Sequence, residues 1–305
     1  MFARLIAKSL AAVVLAAALS TAASAQQLFN SPDEAAAALA EAARADESAI
    51  VKVLGAQGAE IASSGDPVAD ADLRRQFVTA YDQKRQVTVD GDKATLVIGN
   101  DDFPLPIPLV RKNDKWQFDT AAGREEVLAR RIGRNELAAI QTCLAYVDAQ
   151  TEYSEKDRTG AGPGIYAERI VSLRGRKNGL YWPSAQGEDE SPLGERFAQA
   201  ALDGYRPGAA PIPYHGYYFK ILTRQGPSAE GGAVDYVVQG KMIGGFALVA
   251  YPAEYRNSGV MTFLVNHRGT VFQKDLGPQT RKLAEQMSSF NPDATWTRVV
   301  DTATQ

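Results

Sequence analysis

The sequence predicts an α+β protein, because helical and antiparallel patterns follow one another in blocks rather than alternating as a parallel sheet requires. Three observations carry this. An Ala-rich stretch behind Ser31-Pro32 has the start signals of a helix. Paired β-rich runs separated by Asp90-Gly91 and Asn113-Asp114 read as hairpins. Residues 123–156 keep apolar groups at spacings of three and four before the last third turns strand-rich.

The chain opens with a leader. Arg4 and Lys8 precede an apolar run over residues 10–19, and Ala23-Ser24-Ala25 fits the small-x-small pattern of a signal-peptidase site. Crossing a bilayer takes roughly 18 or more apolar residues, so this run is too short for an anchor. Residues 1–25 are therefore expected to be a signal peptide cleaved after Ala25, and no cysteine lies near that point to be acylated. The expectation is a periplasmic or secreted protein without an integral membrane segment after cleavage.

Residues 26–122 read as an N-terminal α+β domain. Ser31 can cap a helix that continues to residue 45, with Pro32 at its first position and Asp33 and Glu34 placed where the helix dipole favours acids. A second helix runs over 47–54 and ends at Gly55. A third covers 69–83, with Leu73, Phe77 and Tyr81 on one face. Residues 86–89 and 94–98 then form one hairpin, and 110–112 with 116–118 a second. Between them, 103–109 carries proline at alternate positions; each proline removes a ladder donor, so this is an edge strand or an extended segment.

Residues 123–305 read as a second unit. A helix starts near Gly123, kinks at Gly133 and ends near Lys156, with Leu137, Ile140, Leu144, Val147 and Thr151 as its buried stripe. An irregular insertion follows over 157–215, rich in Gly, Pro and polar residues and broken by a short helix at 192–202; long segments of this kind usually mark binding loops or mobile excursions. Strands are expected at 217–222, 246–251, 260–266 and 271–273, forming a meander on the long helix, with a last helix over 278–287. There is no internal repeat.

Removing the leader takes the formal charge from −3 to −5. A mildly acidic chain with no basic run is a poor partner for nucleic acid. The single cysteine, Cys143, excludes an intramolecular disulfide and reads as a small buried apolar residue, with a reactive or intermolecular thiol as the alternative.

Two stretches carry a family resemblance. The first is Ile98-Gly99-Asn100-Asp101-Asp102-Phe103-Pro104-Leu105-Pro106-Ile107-Pro108-Leu109-Val110, followed by Trp116-Gln117-Phe118-Asp119-Thr120-Ala121-Ala122-Gly123 and Arg130-Arg131-Ile132-Gly133-Arg134-Asn135-Glu136-Leu137. The second is Gly216-Tyr217-Tyr218-Phe219-Lys220-Ile221-Leu222, then Tyr251-Pro252-Ala253-Glu254-Tyr255, Ser258-Gly259-Val260-Met261-Thr262-Phe263 and Lys274-Asp275-Leu276-Gly277. Together they resemble the bacterial secreted proteins of the domain of unknown function 2950 family, over nearly the whole mature chain; the resemblance implies no activity. More weakly, Asn135-Glu136, Ile140, Ala149-Gln150 and Tyr153 are similar to the helix of pilin and pseudopilin heads, which implies a long helix against an antiparallel sheet. The departure is that a pilin begins with an apolar helix where this chain carries an α+β unit. Residues 28–120 resemble a cystatin-like or nuclear-transport-factor-like (NTF2-like) cone by topology alone, and fold does not determine function.

No catalytic or metal-binding constellation is predicted. His215 and His267 lack partners at metal-ligand spacing, and Asp101-Asp102 and Glu188-Asp189-Glu190 lack the alternation of a calcium loop. Gly231-Gly232 and Gly244-Gly245 lack the strand–turn–helix setting of a phosphate loop and read as hairpin turns, so no cofactor is predicted. The candidate binding residues are Tyr181, Trp182, Tyr214, His215 and Tyr217, since Tyr and Trp join apolar area to a polar tip. The favoured reading is a non-enzymatic binding or assembly factor whose partners are envelope or secretion-system proteins, including pilus-like ones. The alternative is an envelope hydrolase with a site in the 157–215 loops near His215. A third reading, a small-molecule or peptide binder in the N-terminal unit, predicts an apolar cavity beneath the 86–118 hairpins.

Overall fold

The structure is a computed structural model that describes residues 26–184, 187–201 and 210–299. The leader, with its cleavage point at Ala25, lies outside the described residues, as does the end of the expected 192–202 helix.

The chain opens with helices α1 (Pro32–Ala45), α2 (Glu47–Leu54), α3 (Ala59–Ala62) and α4 (Pro67–Gln83). Their starts follow from short polar side chains. Ser31 Oγ accepts from the Glu34 amide (3.1 Å), and Glu34 reaches back to accept from the Asn30 amide (2.9 Å). Asp46 caps α2 through Ala49, and Asp66 caps α4 through Ala69. Each such cap is worth about 1 kcal/mol because it satisfies a donor the helix cannot.

The strands β1 (Arg85–Asp90) and β2 (Lys93–Ile98) form the first hairpin. Its turn is Gly91-Asp92, one residue beyond the expected Asp90-Gly91, because Asp90 pairs with Lys93 and only glycine takes the first central position at φ 58° without strain. The two-residue β3 (Phe103–Pro104) and β4 (Leu109–Lys112) share one edge of β2, at opposite ends, and β5 (Lys115–Phe118) closes the sheet. The proline run bridges β3 and β4, where missing amide donors cost nothing. At the second turn Asn113 and Asp114 both adopt positive φ, which these residue types tolerate.

Helix α5 (Thr120–Glu155) is continuous and includes Gly133. Its buried stripe differs from expectation. Ala139, Cys143, Tyr146, Ala149, Gln150 and Tyr153 face inward, whereas Leu137 is 63% exposed and Ile140, Leu144 and Val147 flank the contact. Hydropathy ranks Leu above Tyr and Gln, but here the polar tips find partners. The Tyr146 hydroxyl donates to Ala247 O (3.2 Å), Gln150 bonds Ala167 through both ends of its amide, and the Tyr153 hydroxyl donates to Lys177 O (2.8 Å). Ala139, Cys143 and Ala149 let the helix approach closely between them.

After α5 come α6 (Glu195–Gln199), β6 (Tyr217–Leu222), β7 (Arg224–Gln225), β8 (Val234–Asp235), β9 (Val237–Val238), β10 (Lys241–Met242), β11 (Ala247–Pro252), β12 (Met261–Asn266), β13 (Val271–Asp275), α7 (Thr280–Gln286), β14 (Ser289–Phe290) and β15 (Thr297–Arg298). The main sheet is antiparallel in the order β15-β13-β12-β11-β6. Successive residues of a strand point to opposite faces. Thus Tyr217 packs with Phe263 on the α5 side, while Tyr218 packs with Tyr251 and lies under Arg281 of α7. Between α5 and β6 the described residues have little regular structure. Even so, Ala167, Ile170, Leu180, Trp182 and Phe197 are buried in the larger core, so the described part of this segment is packed rather than a free excursion.

Two predictions follow from this packing. A Cβ on Gly123 would meet Ile107 Cα at 2.6 Å and Pro106 O at 2.7 Å, whereas at Gly133 it would meet nothing. Gly123→Ala should cost about 2 kcal/mol in urea unfolding by overpacking, and Gly133→Ala in the same helix should be neutral or stabilising by up to ~1 kcal/mol. Burial pushes the Cys143 thiol up to about 12. It should resist a thiol-exchange reagent at pH 8 in the native protein and react fully in denaturant; prompt native labelling would contradict this.

Candidate functional site

The first helices do not close completely on the hairpin sheet. A cavity of about 260 Å³ remains between α1, α2, α3, α4, the proline segment and the first turns of α5. Its walls are apolar, with Leu39, Ile50, Leu54, Phe77, Ile107 and Val127 among them. The small Ala43 and Ala62 leave space where larger residues would fill it. Where the cavity meets solvent the lining becomes charged: Arg74, Arg130, Arg131 and Arg134, with Asp70 as the only acid.

Arg131 also belongs to a polar seam beneath the cavity. It is only 4% exposed. Its Nη1 donates to Glu60 O (2.6 Å) and Asn257 Oδ1 (2.5 Å), and its Nη2 to Ile61 O (2.6 Å). Its Nε has no partner. Burial lowers the Arg131 pKa, with Arg134 adding to the effect and Asp70, Glu254 and Glu60 opposing it. Around it, Asn257 Nδ2 donates to Ser63 O (3.0 Å), Asn135 Nδ2 to Ser258 O (2.9 Å), and the Val260 and Met261 amides to Glu136 Oε1 (2.9 and 3.0 Å). Asp66, 1% exposed, caps α4 with one oxygen and accepts the Gly216 amide (3.0 Å) with the other. Gly216 has φ 74° and faces Asn135 Nδ2 so closely that a Cβ would stand 2.5 Å from it. Asp70 is satisfied by Ser64, whose amide and hydroxyl donate at 2.9 and 2.7 Å.

The candidate binding residues lie elsewhere. Tyr181 and Trp182 are buried in the larger core; Trp182 Nε1 donates to Asp189 O (2.9 Å), and the ring is faced by Arg158 (4.9 Å) and Lys177 (5.2 Å). Tyr214 and His215 are together, ring centroids 4.1 Å apart, at the bend leading into β6. Tyr217 is fully buried and its hydroxyl donates to Met261 O (3.0 Å). Burial and the Arg196 charge hold His215 below its ordinary pKa, with Asp66 opposing them. His215 and His267 make no side-chain hydrogen bond to a Ser, Asp or Glu among the described residues, and there no group of three His, Cys, Asp or Glu converges. Asp189 takes Lys156, Arg158 and Lys177 as ion partners, and Asp102 takes Lys84.

The seam and the cavity mouth were missed because no residue in them stands out by type. A signal was nonetheless present: Arg130-Arg131, Asn135-Glu136, Gly216-Tyr217, Glu254 and Ser258-Gly259, quoted above for the resemblance, meet here from three distant stretches of chain. Asp66→Ala removes a helix cap and leaves the buried Gly216 amide unsatisfied, so it should cost about 3 kcal/mol in urea unfolding. A loss below ~1 kcal/mol would show the seam to be dispensable.

The family model described as a protein of unknown function (DUF2950) matches residues 26–299. No curated protein and no solved structure matches the chain. With all of the described residues inside the match, the chain belongs to the DUF2950 family of proteins of unknown function.

Proposed function

We propose that this protein is a non-catalytic binding protein of the cell envelope that holds a small, largely apolar molecule in the cavity of its N-terminal half. The apolar cavity under the proline segment carries the reading. Its volume lies near the lower end of small-ligand pockets, about 300 Å³ upward, and its plan of apolar walls with a few polar groups at one end is the usual one for such sites. The Ala23-Ser24-Ala25 leader pattern supports an extracytoplasmic location, periplasmic or secreted. Binding is favoured over envelope hydrolysis because, among the described residues, neither histidine side chain hydrogen-bonds an acid or a Ser hydroxyl that it could activate.

An assembly role is the second reading. It is favoured by a long helix laid on an antiparallel sheet, the arrangement of pilin heads, and rests on that analogy of fold. Crosslinking in intact cells should then capture envelope or secretion-system proteins.

The cavity reading is tested with a neutral solvatochromic dye such as Nile red. The protein should enhance and blue-shift its emission saturably. Ala62→Phe, which fills the cavity from α3, should abolish the signal while unfolding stays cooperative. Equal signals from the two proteins would place the dye elsewhere and remove the reading.

A further inference from the structure

The charges at the cavity mouth define the ligand more closely. We propose that it is a single-chain amphiphile with an acidic head, bound tail-inward with the head held by Arg74, Arg131 and Arg134; this rests on the cavity reading above. Four arginines and one aspartate line the cavity, and most of the compensating groups are already engaged. Asp70 accepts from Ser64 and, although its charge acts on Arg131, it makes no ion pair with these arginines among the described residues. Arg130 pairs with Glu126 (2.7 Å) and lies over the Phe103 ring (5.2 Å). Arg74 and Arg134 make no hydrogen bond or ion pair among the described residues. Arg131 is nearly buried, with Nη1 and Nη2 occupied and Nε unpartnered.

A buried donor without a partner costs free energy, and an anion arriving there would recover it. A neutral ligand would leave that donor and the two free guanidinium groups as they are. A cationic head would be repelled by all four. The apolar walls require the opposite end of the same molecule to be hydrocarbon, so the acid must be attached to a chain. Carboxylate and phosphate monoester heads share the acceptor geometry that a guanidinium fork recognises.

Decanoate and decanol are the discriminating probes, since they share a tail and differ in head charge. Each is titrated against Nile red bound to the purified protein at pH 7.5. Decanoate should displace the dye at a concentration at least tenfold lower than decanol. In the double variant R74Q/R134Q that advantage should fall severalfold, with decanol unchanged and the unfolding midpoint held. Raising salt should weaken decanoate alone. Equal potency of the two probes, or an undiminished advantage in R74Q/R134Q, overturns the acidic-head inference and leaves the cavity reading standing. If neither probe displaces a dye whose binding Ala62→Phe abolishes, the amphiphile inference falls and the cavity reading stands.

Discussion

The guanidinium of Arg131 is the contact on which the two halves of the chain depend. It extends from the long helix, takes carbonyls at residues 60 and 61 on one side, and takes Asn257 from the loop after β11 on the other. Backbone carbonyls at the end of a short helix such as α3 need donors, and a buried arginine supplies several in one rigid plane. Without it the α3 carbonyls, Asn257 and the adjoining Asp66–Gly216 contact would lose their common anchor. The geometry around it leaves little room: Gly65 approaches Glu254, and Gly216 approaches Asn135.

That seam sits directly beside incomplete packing. α1 buries mostly alanine where many helices bury leucine, and the proline segment runs as an extended strap along the cavity. Close approach of backbones is gained along α1, and a gap is left below the strap. Filled interiors leave few voids larger than a water molecule, so an apolar gap of this size with a charged rim calls for an occupant or a function. Arg131, which holds the seam, also borders the gap, so the seam and the cavity rim share a residue.

Much of the local structure was legible. The cap at Ser31 and the turn at Asn113-Asp114 follow from short-range chemistry that a sequence displays directly, whereas α4 starts at Pro67 behind the Asp66 cap, two residues before the expected 69. β6 is as directly legible as the cap and the turn, since five aromatic and aliphatic residues around one lysine leave little choice. The face of α5 was less legible. Its aliphatic stripe is offset from the buried one, since Tyr146, Gln150 and Tyr153 become good core residues only once Ala247, Ala167 and Lys177 are in place to receive their polar ends. The irregular segment 157–215 was similarly opaque: its apolar residues have no period, yet they cover the far end of the same helix.

The sequence by itself determined the α+β class, the order of helices and hairpins, the inward placement of Cys143 and the family to which the chain belongs, because capping, turn and hydropathy signals act within a few residues of one another. Only the tertiary structure decided which groups meet. Arg131 and Asn257 are 126 positions apart, Asp66 and Gly216 150 apart, and no local rule couples them. A cavity is still less visible, being an absence of atoms produced jointly by five helices and a strap. Arg74 and Arg134 gain their meaning from that absence, because an unpaired surface arginine is ordinary until it borders a space that an anionic amphiphile can enter.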